Sequence, residues 1–253
     1  MIRLGAFALV LSAMALAELF WPWRQPEAKA RRWAANLGVL VVDSVLVRVL
    51  FPVAAVGAAI WAQGQGIGLL HAVPSWLALP VAVLALDLAI YFQHRVFHAV
   101  PLLWRLHRMH HADTEFDTTT GLRFHPVEII LSMLIKMAVV VALGAPALAV
   151  VVFEVLLNAS SLFNHGNLRL PVAVDAALRR VLVTPDMHRV HHSVLRAETD
   201  SNFASCLAWW DRIFGTYRAE AVAGRDGITI GLPQFRNPAE QRLDRLLTQP
   251  FRD

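Results

Sequence analysis

Ten of the eleven histidines lie between His94 and His192, and their spacing is regular. His94 and His98 are four residues apart. His107, His110 and His111 form an H-x-x-H-H set, which His188, His191 and His192 repeat. Residues three or four apart share a helix face with Cβ atoms about 5–6 Å apart, so their imidazoles can converge on one metal ion. Adjacent histidines diverge by about 100° and can serve two ions. A single i, i+4 pair arises by chance, and a lone histidine is more often a satisfied core residue than a ligand. Two H-x-x-H-H sets and an H-x-x-x-H together point instead to two metals held between helices.

The single Cys206 excludes a four-cysteine zinc site, an iron–sulfur cluster and a disulfide framework. Imidazole sites suit iron, zinc, copper or nickel. Structural zinc needs four ligands, and this chain offers more. Two irons with neutral ligands and open positions can bind and split dioxygen, giving an oxidant for unactivated C–H bonds.

The elements that must position these residues belong to a membrane protein. Hydrophobic residues make up 57% of the 253 and charged residues 17%, with a mean hydropathy of +0.50. Soluble domains carry about 25% charged residues. A span needs about 20 apolar residues, and 4–21, 37–61 and 76–92 qualify. The stretch 127–163 is broken at Gly144-Ala145-Pro146 and reads as a tight hairpin of two short helices. The expected architecture is all-α, with about four transmembrane helices in two hairpins and a cytoplasmic helical cap. Its parts are N-terminal spans (1–92), a first histidine segment (93–126), the hairpin (127–163) and an arginine-rich cap with the second histidine segment (164–253).

The first segment has a rival reading as a signal peptide cleaved near Ala15-Leu16-Ala17, but the basic cluster Arg24, Lys29, Arg31 and Arg32 favours an anchor. Segments 22–36, 93–126 and 164–253 hold four, four and twelve basic residues, while the loop 62–75 and the turn at Gly144 hold none. This puts the histidines on the cytoplasmic side. The net charge of +4 then fits an anionic membrane surface, not nucleic acid. Six charges fall inside the spans: Glu18, Asp43, Arg48, Asp87, Lys136 and Glu154. Asp43 and Arg48 are placed to pair within one helix, and Lys136 to snorkel. Asp87 shares a helix face with His94 and His98 and is positioned to fix an imidazole tautomer, as carboxylates commonly do behind metal ligands. Glu128 either does the same or caps its helix.

Taken together, the motifs resemble the fatty acid hydroxylase and sterol desaturase superfamily of membrane-bound di-iron enzymes. The resemblance runs from Asp87-x-x-x-Tyr91-x-x-His94-Arg95-x-x-His98 through His107-Arg108-Met109-His110-His111, Arg123-Phe124-His125-Pro126-Val127-Glu128 and Phe163-Asn164-His165. It closes with Thr184-Pro185-Asp186-Met187-His188-Arg189-Val190-His191-His192 and Trp210-Asp211-Arg212-Ile213-Phe214-Gly215-Thr216-Tyr217, covering residues 85–220. It implies two iron ions, replaceable by zinc on purification, with His94, His98, His107, His110, His111, His165, His188, His191 and His192 as ligands. Relatives with a 2-hydroxylase role pair the penultimate cluster as H-x-x-x-H. Ser161 stands at that position here, leaving water or Asn158 as the substitute. His125 is expected either beside the ligands or as a ligand itself, with a place at a helix start as the alternative. Asp211 and Arg212 are expected to hold the cap together, and Trp209 and Trp210 to anchor at the membrane interface.

The expected function is O2-dependent hydroxylation of a fatty acyl or sterol-like lipid. Desaturation and ether-lipid monooxygenation are variants on the same site. A histidine-rich metal-binding or transport protein is the alternative from another class, but transport needs polar groups through successive spans. His125-Pro126 is not followed by the two glycines of a fused cytochrome b-type domain, and no flavin or nicotinamide motif is present. Electrons are therefore expected from a separate ferredoxin- or cytochrome-type protein docking on the arginine-rich cap, whose arginines equally suit anionic headgroups.

Overall fold

The computed structural model describes residues 2–252. Among them the regular structure is helical, with isolated β-bridges and no strand. The long helices are α1 (Ile2–Phe20), α2 (Lys29–Leu50), α3 (Ala54–Gly64), α4 (Ser75–Ala99), α5 (Pro101–His111), α6 (Pro126–Leu143) and α7 (Ala147–Asn164). Short ones follow: α8 (Val172–Leu178), α9 (Pro185–His191), α10 (Arg196–Thr199), α11 (Trp209–Ile213), α12 (Gly224–Gly227) and α13 (Leu243–Thr248).

Among the described residues, five helical stretches are long and apolar enough to cross a membrane, in place of the expected four or so: α1, α2 with α3, α4, α6 and α7. The difference lies in the hairpin. Each arm has 18 residues, or about 27 Å at 1.5 Å per residue, close to the ~30 Å hydrocarbon thickness. Gly144 ends α6 in the left-handed region (φ 62°). A Cβ there would lie 2.5 Å from the Ile67 carbonyl oxygen, so only glycine fits the turn.

The second span also differs from its expected form. α2 starts at Lys29 and stops at Leu50, and α3 resumes at Ala54. Pro52 lacks an N–H and pushes Phe51 out of helical geometry (φ −128°, ψ 66°), so one continuous helix cannot form.

At the end remote from the histidines the core is built on small residues. Ala55, Ala58 and Ala59 of α3, Ala82 and Leu86 of α4, Val140 of α6 and Ala149, Val150 and Phe153 of α7 are buried together. Small side chains let apolar helices approach closely in lipid. Charges inside the spans are paired there: Glu154 of α7 accepts from Lys136 of α6 at 3.0 Å and from Arg3 of α1. Asp43 and Arg48 do not pair; Asp43 faces inward, while Arg48 is exposed.

The chain reverses at each loop, so the C-terminal ends of α1, α4 and α7 meet the N-terminal ends of α2 and α6. Glu18, near the end of α1, ties this junction. Its Oε1 accepts the backbone N–H groups of Thr118 at 2.7 Å and Asn167 at 2.9 Å. Arg32 of α2, fully buried, reaches Asp113 through two hydrogen bonds (2.8 and 2.6 Å) and Asp117 through one (2.6 Å). The segment after α7 is helical in short pieces. Its helices have four to seven residues, joined by loops whose polar groups bond across the fold.

Candidate metal centre

Proline sets the corner from which the first histidine segment is built. α4 carries His94 and His98 in its last turns, and Pro101 opens α5 directly after Val100, which is extended (ψ 117°). α5 thus folds back with His107 and His111 facing His94 and His98 of α4, while His110 turns toward His165 at the end of α7. Asp117 closes the next turn with a reciprocal capping box to Thr120. His165 caps the C-terminus of α7. Pro185 starts α9, whose Thr184 cap and nearly two turns present His188, His191 and His192.

These nine imidazoles converge in two groups. His94, His98, His107, His111 and His191 form one, and His110, His165, His188 and His192 the other, with ligand atoms inside each group within 4.8 Å of one another. Adjacent histidines divide between the groups, His110 from His111 and His191 from His192. All are buried except His94, which is half-buried. The four-membered group is the one beside Ser161.

The geometry fits metal ions. Nε2 of His94 faces Nε2 of both His107 and His191 at 3.0 Å. In the second group Nε2 of His165 faces Nε2 of His110 at 3.1 Å and of His188 at 3.0 Å. Two imidazole nitrogens bound to one ion at about 2.0–2.1 Å stand roughly 3 Å apart when at right angles. Both ring nitrogens of His111 and His192, and Nε2 of His98, are buried with no hydrogen-bond partner among the described residues. Each such atom costs on the order of 1–3 kcal/mol if left unsatisfied; an ion in each group would take up one nitrogen of each ring.

Outward-facing ring nitrogens set the tautomers. Nδ1 of His94 donates to the Phe203 carbonyl, Nδ1 of His165 to the Ser161 carbonyl and Nδ1 of His191 to the Ser201 carbonyl, each at 2.7 Å. Nδ1 of His107 donates to Glu128 at 2.7 Å, and Nδ1 of His98 to Asp200 at 3.2 Å. A proton on Nδ1 leaves the Nε2 lone pair facing the group. Burial keeps the rings neutral, the form that binds metal. It holds His110, His111, His188 and His192 well below the ordinary imidazole range, His165 down to about 4 and His191 to about 3.

Aromatic rings close the site. Phe124 stacks on His110 with centroids 4.3 Å apart, Trp104 lies 4.9 Å from His98, and Phe116 and Phe203 flank His192 and His98 at 5.2 and 5.0 Å.

The residues expected behind the ligands part company. Glu128 touches His107. Asp87 does not reach His94, although the two share a helix. Its carboxylate accepts the N–H groups of Cys206 (3.3 Å) and Leu207 (3.2 Å) and the Trp210 indole N–H (2.8 Å). Trp210 is thereby drawn inward, leaving Trp209 at the surface. His125 belongs to neither group. Its Nδ1 accepts the Val127 N–H and its Nε2 donates to the Leu247 carbonyl, both at 3.2 Å, so it caps α6. Asn158 lies on an exposed face of α7, outside both groups. Asp211 holds the loop before α11 by accepting the Phe203 and Ala204 N–H groups at 2.8 and 3.1 Å.

Sequence reasoning missed Asp200, the three carbonyl partners and the Arg32 network. The acidic triplet Asp113-x-Glu115-x-Asp117 directly after H-x-x-H-H was the available signal for the last. Burial opposes ionisation of Asp113, but Arg32 and Arg123 beside it bring its carboxyl down to about 2.

Residues 79–216 match the fatty acid hydroxylase family. Human alkylglycerol monooxygenase is 31% identical over 159 residues, covering 61% of this chain and 34% of its own length. The Xenopus tropicalis alkylglycerol monooxygenase is 28% identical over 157 residues, covering 60% of this chain and 33% of its own length. An ornithine lipid hydroxylase of Rhizobium tropici is 28% identical over 131 residues, covering 52% and 39%. The matches thus span a third to two fifths of these relatives. No solved structure matches. The match covers more than half of the chain and contains all nine converging histidines, and the chain belongs to the fatty acid hydroxylase family.

Proposed function

We propose that this chain is a membrane-bound di-iron oxygenase that hydroxylates a lipid. The observation that carries the reading is the convergence of nine imidazoles, buried or nearly so, into groups of five and four at one end of a membrane-type helical bundle. One iron would be held by His94, His98, His107, His111 and His191, the other by His110, His165, His188 and His192. When bound, the iron pair supplies dioxygen reduction, with the balance RH + O2 + 2 electrons + 2 protons → ROH + H2O.

The protein's own part is orientation and exclusion. Carbonyls of Ser161, Ser201 and Phe203 and the carboxylates of Glu128 and Asp200 keep Nδ1 protonated on five rings, so each Nε2 stays a donor to metal. Phe116, Phe124, Phe203 and Trp104 keep bulk water from the reacting region. The electrons would come from a separate ferredoxin- or cytochrome-type protein meeting the arginine-rich surface. The density of basic residues at the histidine end supports a cytoplasmic orientation for it.

An ether lipid is a second candidate substrate, favoured by the likeness to alkylglycerol monooxygenases. Hydroxylation of the carbon beside the ether oxygen gives a hemiacetal, which separates into an aldehyde and an alcohol. Lipid mass spectrometry of membranes carrying the intact chain or the His191→Ala form tests both readings. A lipid that gains one oxygen only with the intact chain supports hydroxylation. Conversion of a supplied alkyl ether lipid to an aldehyde supports the second reading. Unchanged lipids together with no bound iron in the purified protein overturn both.

A further inference from the structure

Residues 203–214 lie outside the five candidate spans in sequence but not in space. The Cys206 and Leu207 N–H groups and the Trp210 indole all bond to Asp87. Asp87 precedes His94 by seven residues, so it sits about 10 Å further along α4, inside the apolar stretch. Phe214 stacks on Tyr91 at 5.3 Å and meets Phe92 edge-on at 4.9 Å. On the other side, the Asn164 amide donates to the Ser205 carbonyl at 2.6 Å. The segment is therefore wedged between α4 and α7 at a depth that a span occupies.

Irregular backbone survives at that depth only where its polar groups are satisfied by protein. Here they are. Besides the bonds to Asp87 and Asp211, Val183 N–H donates to the Cys206 carbonyl at 3.0 Å and Ala208 N–H to the Val181 carbonyl at 2.9 Å. The outward side is apolar: Ile213 is 64% exposed, and Trp209, Phe214, Val181 and Leu182 are exposed beside it. This face continues the outward stripe of α4, where Leu84, Phe92 and Val96 are also exposed. Arg180 and Arg212 flank it, both exposed. An apolar face rimmed by arginine and continuous with a lipid-facing helix matches the chemistry of the boundary between headgroups and acyl chains.

We infer that residues 203–214, with 180–182, form a re-entrant foot seated in the bilayer leaflet at the histidine end. The foot is joined to the metal centre, because the same stretch of chain gives the Phe203 carbonyl to His94 and the Ser201 carbonyl to His191. Its seating in lipid thus helps to hold one imidazole from each histidine segment. The inference rests on the chain's being a multi-pass membrane protein and not on the reaction proposed above.

The test reads immersion, not turnover. Full-length chains carrying Ile213→Cys, Val181→Cys or Val222→Cys are labelled with a nitroxide in vesicles of mixed phosphatidylcholine and phosphatidylglycerol. Val222 is 80% exposed and lies outside this face. The native Cys206 is buried, so the label goes to the introduced residue. Oxygen concentrates in the bilayer, and a nickel chelate stays in water. A ratio of oxygen to nickel collisions several-fold higher at positions 213 and 181 than at 222 is expected. An aqueous ratio at both positions, equal to that at 222, overturns the inference. If the Ile213→Cys chain fails to insert, the Val181→Cys chain decides alone.

Discussion

Oε1 of Glu128 lies 2.7 Å from Nδ1 of His107, and both side chains are buried. The pair joins the start of α6 to the middle of α5, so a membrane-type helix directly orients an imidazole of the five-membered group. Without the carboxylate, the His107 ring loses both its preferred tautomer and its rotational restraint. Loss of such a supporting partner typically costs about 10–100-fold in metal affinity. Glu128→Ala is expected to fall in that range and Glu128→Gln, which still accepts from Nδ1, to lose less. Competition with a chelator on the purified protein measures it. Equal affinity in all three forms would mean that the contact does not orient the ring.

Metal removal should destabilise the fold. The partnerless nitrogens of His111 and His192 leave the metal-free site with an uncompensated desolvation cost. An ion at 100 times its dissociation constant adds about 2.7 kcal/mol per site. Chelation is expected to lower the thermal midpoint and ferrous iron to restore it. An unchanged midpoint would contradict a resident metal in these groups.

Much of this site was legible in the sequence, because helical periodicity converts spacing into shared faces. The H-x-x-H-H repeats point to two groups, and the structure does divide His110 from His111. Reasoning of the same kind misplaced Asp87. A shared face with His94 is a statement about one helix, whereas the loop that claims this carboxylate arrives from more than a hundred residues away. Glu128 and Asp87 looked alike as acids near histidines, and only the packing of α5 and of residues 203–214 separates them. Carbonyl partners leave no trace in residue type. Pro52 was visible as a helix breaker, but the apolar run around it dominated the reading of the span.

His125 tests the distinction between a cap and a ligand. Replacement by alanine removes the acceptor for the Val127 N–H and is expected to cost about 1 kcal/mol, with asparagine retaining most of it. Metal content should stay unchanged in both. Burial holds His125 below its ordinary value of 6.5, so its contribution to stability is fully present above that pH. As pH falls below 6.5, the unfolded chain takes up a proton that the native ring resists, and the contribution is lost. The stability difference between the wild type and His125→Asn should therefore shift in this direction between pH 7 and 5. Loss of iron in His125→Asn would place the ring at the metal instead.

The Arg32–Asp113 pair offers the most severe prediction. Both side chains are almost wholly inaccessible, and the guanidinium meets the carboxylate through two hydrogen bonds while also reaching Asp117. Removing one partner of a buried pair strands the other, which typically costs about 3–5 kcal/mol. Arg32→Ala is expected to lose that much and to fall in yield of folded protein. Arg32→Lys should rescue little, because a lysine ammonium cannot form the paired contacts of a planar guanidinium. Arg32→Met with Asp113→Leu removes both charges, but it leaves Asp117, Glu115 and Arg123 without their neighbours. The double form should therefore recover only part of the loss. Thermal midpoints of the four forms in detergent check this order. Full rescue by lysine would show that charge alone, and not the forked geometry, holds the loop after α5 to α2.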